Sequence, residues 1–219
     1  MTDTELLQHV QNALNWEPSI DTSDVGISVD EGVVTLRGNV ASYVEKMSAE
    51  RVALRVYGVR GVANDLIVRL VHGYERTDTD IAQAAVSALK WHTVVPPERV
   101  TVSVSNGWVT LNGTLDYYYQ SAAPDRAVRE LVGVKGVSNA ILLQAPATSV
   151  RTSDVAAKIE AAFRRSAAVD ARRIHVTAHD GKVTLTGNVR SSAERQEAER
   201  AAWAAPGITQ VDDHLTVVP

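Results

Sequence analysis

Apolar residues recur along this chain at two spacings, and the alternation between them repeats three times. Leu6, Leu7, Val10, Ala13 and Leu14 follow a helical spacing. Thr4 reads as the helix N-cap and Pro18 as its stop. Val25, Ile27 and Val29 then alternate with polar residues, as do Val34 and Leu36, which predicts two short strands. Asp30-Glu31-Gly32 turns the chain between them, so the two strands form an antiparallel hairpin. Gly38-Asn39 reads as the end of the second strand. A second helix is predicted over about 42–57, with Met47, Ala49, Val52, Ala53 and Val56 inward and Gly58 just past its end. A third strand follows over about 64–70.

The same order returns twice. Ile81, Ala82, Ala85, Ala88 and Leu89 mark the next helix; Val100, Val102 and Val104, then Val109 and Leu111, mark two strands. Val155, Ala156, Ile159, Ala162 and Phe163 open the third round, followed by Ile174, Val176 and Ala178, then Val183 and Leu185. The register is set by Gly32-Val33-Val34-Thr35-Leu36-Arg37-Gly38, which recurs from Gly107 and again from Gly181, at steps of 75 and 74 residues. Self-similarity at a fixed period means a repeat architecture. The expected fold is α+β: three tandem αββαβ repeats, each a three-stranded mixed sheet with two helices on one face. The copies are placed at 1–72, 73–147 and 148–219, with polar linkers over 72–78 and 145–152.

Two positions depart from the repeat. Pro124 stands where the other copies carry Ala49 and Ala198. A proline inside a helix removes a hydrogen bond and crowds the preceding turn, so this helix is expected to start near Pro124 or to kink. Arg165 stands where the other copies carry Trp16 and Trp91.

Composition narrows the function classes. The chain of 219 residues is 45% hydrophobic and 22% charged, which is ordinary for a globular protein. It has no cysteine, which removes disulfides and thiolate chemistry. No apolar run reaches the ~20 residues a membrane-spanning helix needs. The polar start lacks the pattern of a signal peptide. The reading is therefore cytoplasmic as the chain stands, and periplasmic had a signal been removed. The formal charge of −4 argues against a nucleic-acid partner. Only the third copy carries more basic than acidic groups, ten against nine.

No catalytic constellation emerges, so no catalytic, cofactor-binding or metal residue is assigned and no cofactor is expected. His175 and His179 flank one strand four residues apart, ~13 Å in extended chain, too far to share a metal unaided. Asp212-Asp213-His214 alternates faces of a strand and cannot converge. The paired glycines of Gly58-Val59-Arg60-Gly61 do not sit between a strand and a helix as phosphate loops require. The candidate lipid or interface residues are Arg164, Arg165, Arg172 and Arg173, read as a basic edge on the third copy. Tyr117, Tyr118 and Tyr119 stand at the entry to the second helix of copy 2, and Trp108 takes the place of Val33 and Lys182, a lysine that points to an exposed face; aromatics favour protein interfaces and bilayer headgroups. Packing between copies or protomers is the expected role of these aromatics and of the Trp16/Trp91 pair.

The helix, the apolar strand, Gly-x-Val-Thr-Leu-x-Gly, the Ala-rich helix and Gly-Val-x-x-Val-x-Asn together resemble the BON domain, the bacterial osmotic-shock and nodulation module. The resemblance covers nearly the whole chain as three copies. It implies a non-enzymatic, stress- or envelope-associated protein that attaches peripherally to anionic phospholipid surfaces. The alternative is a protein–protein scaffold or homo-oligomeric module without lipid binding. The matched positions are glycines and core residues, so no functional residue comes with them.

Overall fold

A computed structural model describes residues 1–70, 73–144 and 152–218. The first copy comprises α1 (Asp3–Trp16), β1 (Val25–Asp30), β2 (Val33–Val40), α2 (Tyr43–Arg55) and β3 (Gly61–Val68). The second comprises α3 (Asp78–Lys90), β4 (Val100–Ser105), β5 (Trp108–Leu115), α4 (Tyr118–Arg129) and β6 (Gly136–Leu143). The third comprises α5 (Thr152–Arg165), β7 (Ile174–His179), β8 (Lys182–Val189), α6 (Ser192–Trp203) and β9 (Gln210–Val217). In each copy the glycine-bounded strand is central: it pairs antiparallel with the strand before it and parallel with the strand after it. Both helices cover the same sheet face, where Val34 and Leu36 are fully buried, while Val33 on the opposite face is exposed. Most of the linker expected at 145–152, the copy boundary placed at 147–148 and His72 lie outside the described residues.

Both glycines of the motif have a steric cause. Glu31 and Gly32 have φ of 46° and 79°, and Asn106–Gly107 and Asp180–Gly181 repeat this. Two successive positive φ values make a type I′ turn, whose twist matches that of the flanking strands. The second glycine sits under the neighbouring backbone. A Cβ at Gly38 would collide with the Asp24 carbonyl oxygen, and Gly113 and Gly187 stand equally close to Arg99 and Arg173.

Several boundaries differ from the sequence reading. The first helix is capped by Thr2, not Thr4. The Thr2 hydroxyl accepts the Glu5 N–H at 3.3 Å, and the Glu5 carboxylate accepts the Thr2 N–H at 2.8 Å. The central strand runs past Gly38-Asn39 to Val40, and the third strand starts at Gly61. Parallel pairing of Val33 with Gly61 through Val40 with Val68 sets both limits. The α4 helix begins at Tyr118, six residues before Pro124, so the expected start at the proline is wrong. Pro124 lies on the buried side of that helix.

The second helices join the copies. Tyr43, Tyr118 and Ser192 are the first residues of α2, α4 and α6, and Val59, Val134 and Ile208 are equivalent positions in the loops that follow. Residues 41–44 of copy 1 and 129–134 of copy 2 line one cleft. Copy 2 lays Tyr118 on Trp203 of copy 3, with ring centroids 4.6 Å apart and 13° between planes. Copy 3 returns to copy 1: the Ser192 hydroxyl donates to the Val59 carbonyl at 3.3 Å, and α6 packs against α2. Each copy thus presents the start of its second helix to the tail of the next. The third closes on the first, a head-to-tail ring of three modules. Copies 1 and 2 share one continuous apolar core, while copy 3 has its own.

Candidate functional site

The four candidate arginines flank a single loop of copy 3. Arg164 and Arg165 end α5, and Arg172 and Arg173 precede β7; all four are exposed. A helix C-terminus favours cations, which accounts locally for the first pair. Two of the four are partly neutralised: Arg164 lies 3.9 Å from Glu160, and Arg173 lies 3.7 Å from Asp170. The cluster is therefore a solvated basic edge, weakened where Glu160 and Asp170 stand beside it.

The aromatic candidates separate into three environments. Tyr117 stacks on Tyr119, with centroids 5.6 Å apart. Tyr118 turns the other way, across the seam onto Trp203. Burial pushes its phenol pKa up, and the Glu199 carboxylate adds to the shift. Together these rings, Arg126, Arg200 and the 203–208 segment line an open groove of about 570 Å³ between copies 2 and 3. Arg200 is held by Glu197 at 2.6 Å.

Trp108 does not reach another copy. Its ring lies over Gly136 on the adjacent strand, and its Nε1–H donates to the Ser138 hydroxyl at 2.9 Å. The bare glycine makes room for the indole. The expectation that Trp16 and Trp91 pack between copies is also corrected. They are 89% and 88% exposed at the ends of α1 and α3, equivalent to exposed Arg165 on α5.

The remaining candidates find local partners. His175 and His179 face solvent, and His179 stands 3.2 Å from Asp180. Asp212 meets Lys182 at 2.5 Å, which holds its carboxyl pKa below the ordinary value. Asp213 meets Arg195 at 2.7 Å. Among the described residues, no cluster of three His, Cys, Asp or Glu could hold a metal ion, and no helix is long and apolar enough to cross a membrane.

Three features escaped sequence reasoning. Trp203 has no counterpart in the other copies, where Leu54 and Arg129 stand, and nothing local marks it as a seam residue. The groove exists only because two copies meet. The carboxylates of Glu45 and Glu194, in the first turns of α2 and α6, are buried at 7% and 4% exposure, which helical spacing alone does not mark.

Comparison with known families places the geometry. The model of the BON domain matches at residues 2–69, 77–145 and 151–219, nearly the whole chain. The chain belongs to the BON domain family. Each BON copy contributes one αββαβ unit, and the family's glycines fall on the turn and the close backbone approach described above. Osmotically-inducible protein Y of Escherichia coli (strain K12) is 33% identical over 144 residues, covering 64% of this chain and 71% of that protein. Two solved structures of CdsD, a structural protein of the type III secretion system of Chlamydia trachomatis, align at 15% identity with a TM-score of 0.28. They cover 98% and 100% of this chain, and 93% and 100% of those chains. A superposition that loose bears on neither fold nor function.

Proposed function

We propose that this BON protein is a non-enzymatic, stress- and envelope-associated module that attaches peripherally to anionic phospholipid surfaces. We read it as three modules, at 1–72, 73–147 and 148–219. The observation that carries the proposal is the end of the first helix in each copy. Two tryptophans stand there almost wholly in solvent, and the third copy puts arginine at the same place, beside three further arginines. Among the described residues nothing covers either indole, and indoles favour the headgroup zone. Arg164, Arg165, Arg172 and Arg173 supply the electrostatic contact, each worth about 1 kcal/mol near an anionic bilayer before the discount for paired groups. Tyr119, the most exposed of the three tyrosines, is the seam's candidate interfacial ring. The stress association rests on likeness to the osmotically inducible relative.

Co-sedimentation with vesicles of graded anionic lipid content, at low and high salt, tests this reading. Binding that rises with anionic lipid and falls with salt supports it. No binding at any composition overturns it. The second reading is a protein–protein scaffold or homo-oligomer without lipid binding, favoured by the aromatic groove between copies 2 and 3. A stable multimer that ignores vesicles would establish that reading instead.

A further inference from the structure

The ring is not uniform. Copies 1 and 2 are fused through a shared core, whereas copy 3 completes its own. It fits between two open ends of that fused pair: the head of copy 2, through Tyr118 on Trp203, and the tail of copy 1, through Ser192 on Val59. The closing contact, between residues 133 apart in sequence, uses serine where Tyr43 and Tyr118 serve the other two seams. A head-to-tail contact joins two different surfaces, so either surface accepts its complement from any chain that offers one.

We infer that copy 3 is exchangeable: the gap between the head of copy 2 and the tail of copy 1 receives copy 3 of a second chain as it receives its own. The partner is a second copy of this protein, and the product is a swapped dimer with two closed rings. Both seams in that dimer repeat those of the monomer, so swapping creates no new interface and loses none. Protein concentration then sets the balance between the two forms. The inference does not rest on lipid attachment, and it gives the homo-oligomeric reading one specific form, which the cross-link between positions 118 and 203 tells apart from any other dimer.

The absence of cysteine makes the test clean. Full-length Tyr118→Cys and Trp203→Cys chains are mixed, unfolded in denaturant, refolded at low and high protein concentration, and treated with a short bismaleimide. Swapping predicts a dimer at high concentration in which the two introduced thiols link across chains. The yield should be at least tenfold above a control pairing Tyr118→Cys with Ser28→Cys on an exposed strand face. Unsubstituted chains, one ¹⁵N-labelled, give an independent measurement that does not depend on the variants folding. Native mass spectrometry should show mixed-isotope dimers that increase with refolding concentration. Monomer at every concentration, or dimers that cross-link no better than the control, would overturn the inference.

Discussion

The carboxylate of Glu45 accepts the backbone N–H of Asp21 at 2.6 Å and that of Ala41 at 2.8 Å, tying the loop before the first strand to the start of α2. Glu194 repeats this with Asp170 and Arg190, both at 2.7 Å. In copy 2 the equivalent of Asp21 is Pro96, which has no N–H, and the carboxylate is replaced by Gln120. Gln120 accepts from Asp116 and Tyr117 at 3.2 Å each. The buried carboxylate stands where the loop before the strand and the helix start each aim an N–H at it, and the neutral amide stands where that loop offers none and both donors come from the helix start.

The clamp should be measurable in copy 3, which has its own core. Glu194→Ala leaves two backbone donors without their acceptor and should cost about 3 kcal/mol. Glu194→Gln, the residue copy 2 uses, should cost about 1 kcal/mol. Denaturant melts that resolve copy 3 from the fused pair would check the ratio. Equal losses for the two substitutions would remove the charge argument.

Two glycines should respond very differently to the same change. Gly187→Ala must place a Cβ against the Arg173 carbonyl at φ 122°, and strain alone should cost about 2–3 kcal/mol. Gly61→Ala meets nothing within 4 Å at an ordinary φ and should stay within about 0.5 kcal/mol of the parent. Thermal unfolding of both variants distinguishes steric from compositional reasons for the motif.

The seam between copies 2 and 3 should weaken in alkali. Burial raises the Tyr118 phenol pKa in the folded protein above that of an unfolded chain. Its contribution is therefore fully present below the unfolded phenol value and is lost as pH rises through the folded one. Stability measured from pH 8 upward should fall more steeply for the parent than for Tyr118→Phe. Identical slopes would place the phenol outside the seam's energetics.

Charge and indole should separate in vesicle binding. Replacing Arg164, Arg165, Arg172 and Arg173 by glutamine should lower affinity on the order of thirtyfold at low salt, since two of the four are already partnered. It should matter little at high salt. Replacing Trp16 and Trp91 by alanine should weaken binding at both ionic strengths. Co-sedimentation of the two variants checks this, and a salt-sensitive loss in the tryptophan variant would count against the division of roles.

Within each copy, little more than local physics was needed to read the fold. Alternation at Val25, Ile27 and Val29, helical spacing at Leu6, Val10 and Leu14, and a glycine that permits a type I′ turn are all short-range signals. Three repetitions made them unambiguous, and the family's αββαβ unit follows. The limits of the strands were less legible, because parallel pairing between Val33 and Gly61 decides where both begin, and that partner is 28 residues away.

How the copies meet was decided by tertiary structure. Trp16, Trp91 and Trp203 are indistinguishable as side chains, yet two stand in water and the third stacks on Tyr118. The sequence by itself determined three modules, their sheet order and the residues that fill each core, because those depend on spacing and on backbone sterics within one module. The ring, its seams and the exposed end of each first helix depend on which surfaces of separate modules are complementary. That complementarity is a property of shapes brought together across more than 70 residues, and no local pattern encodes it.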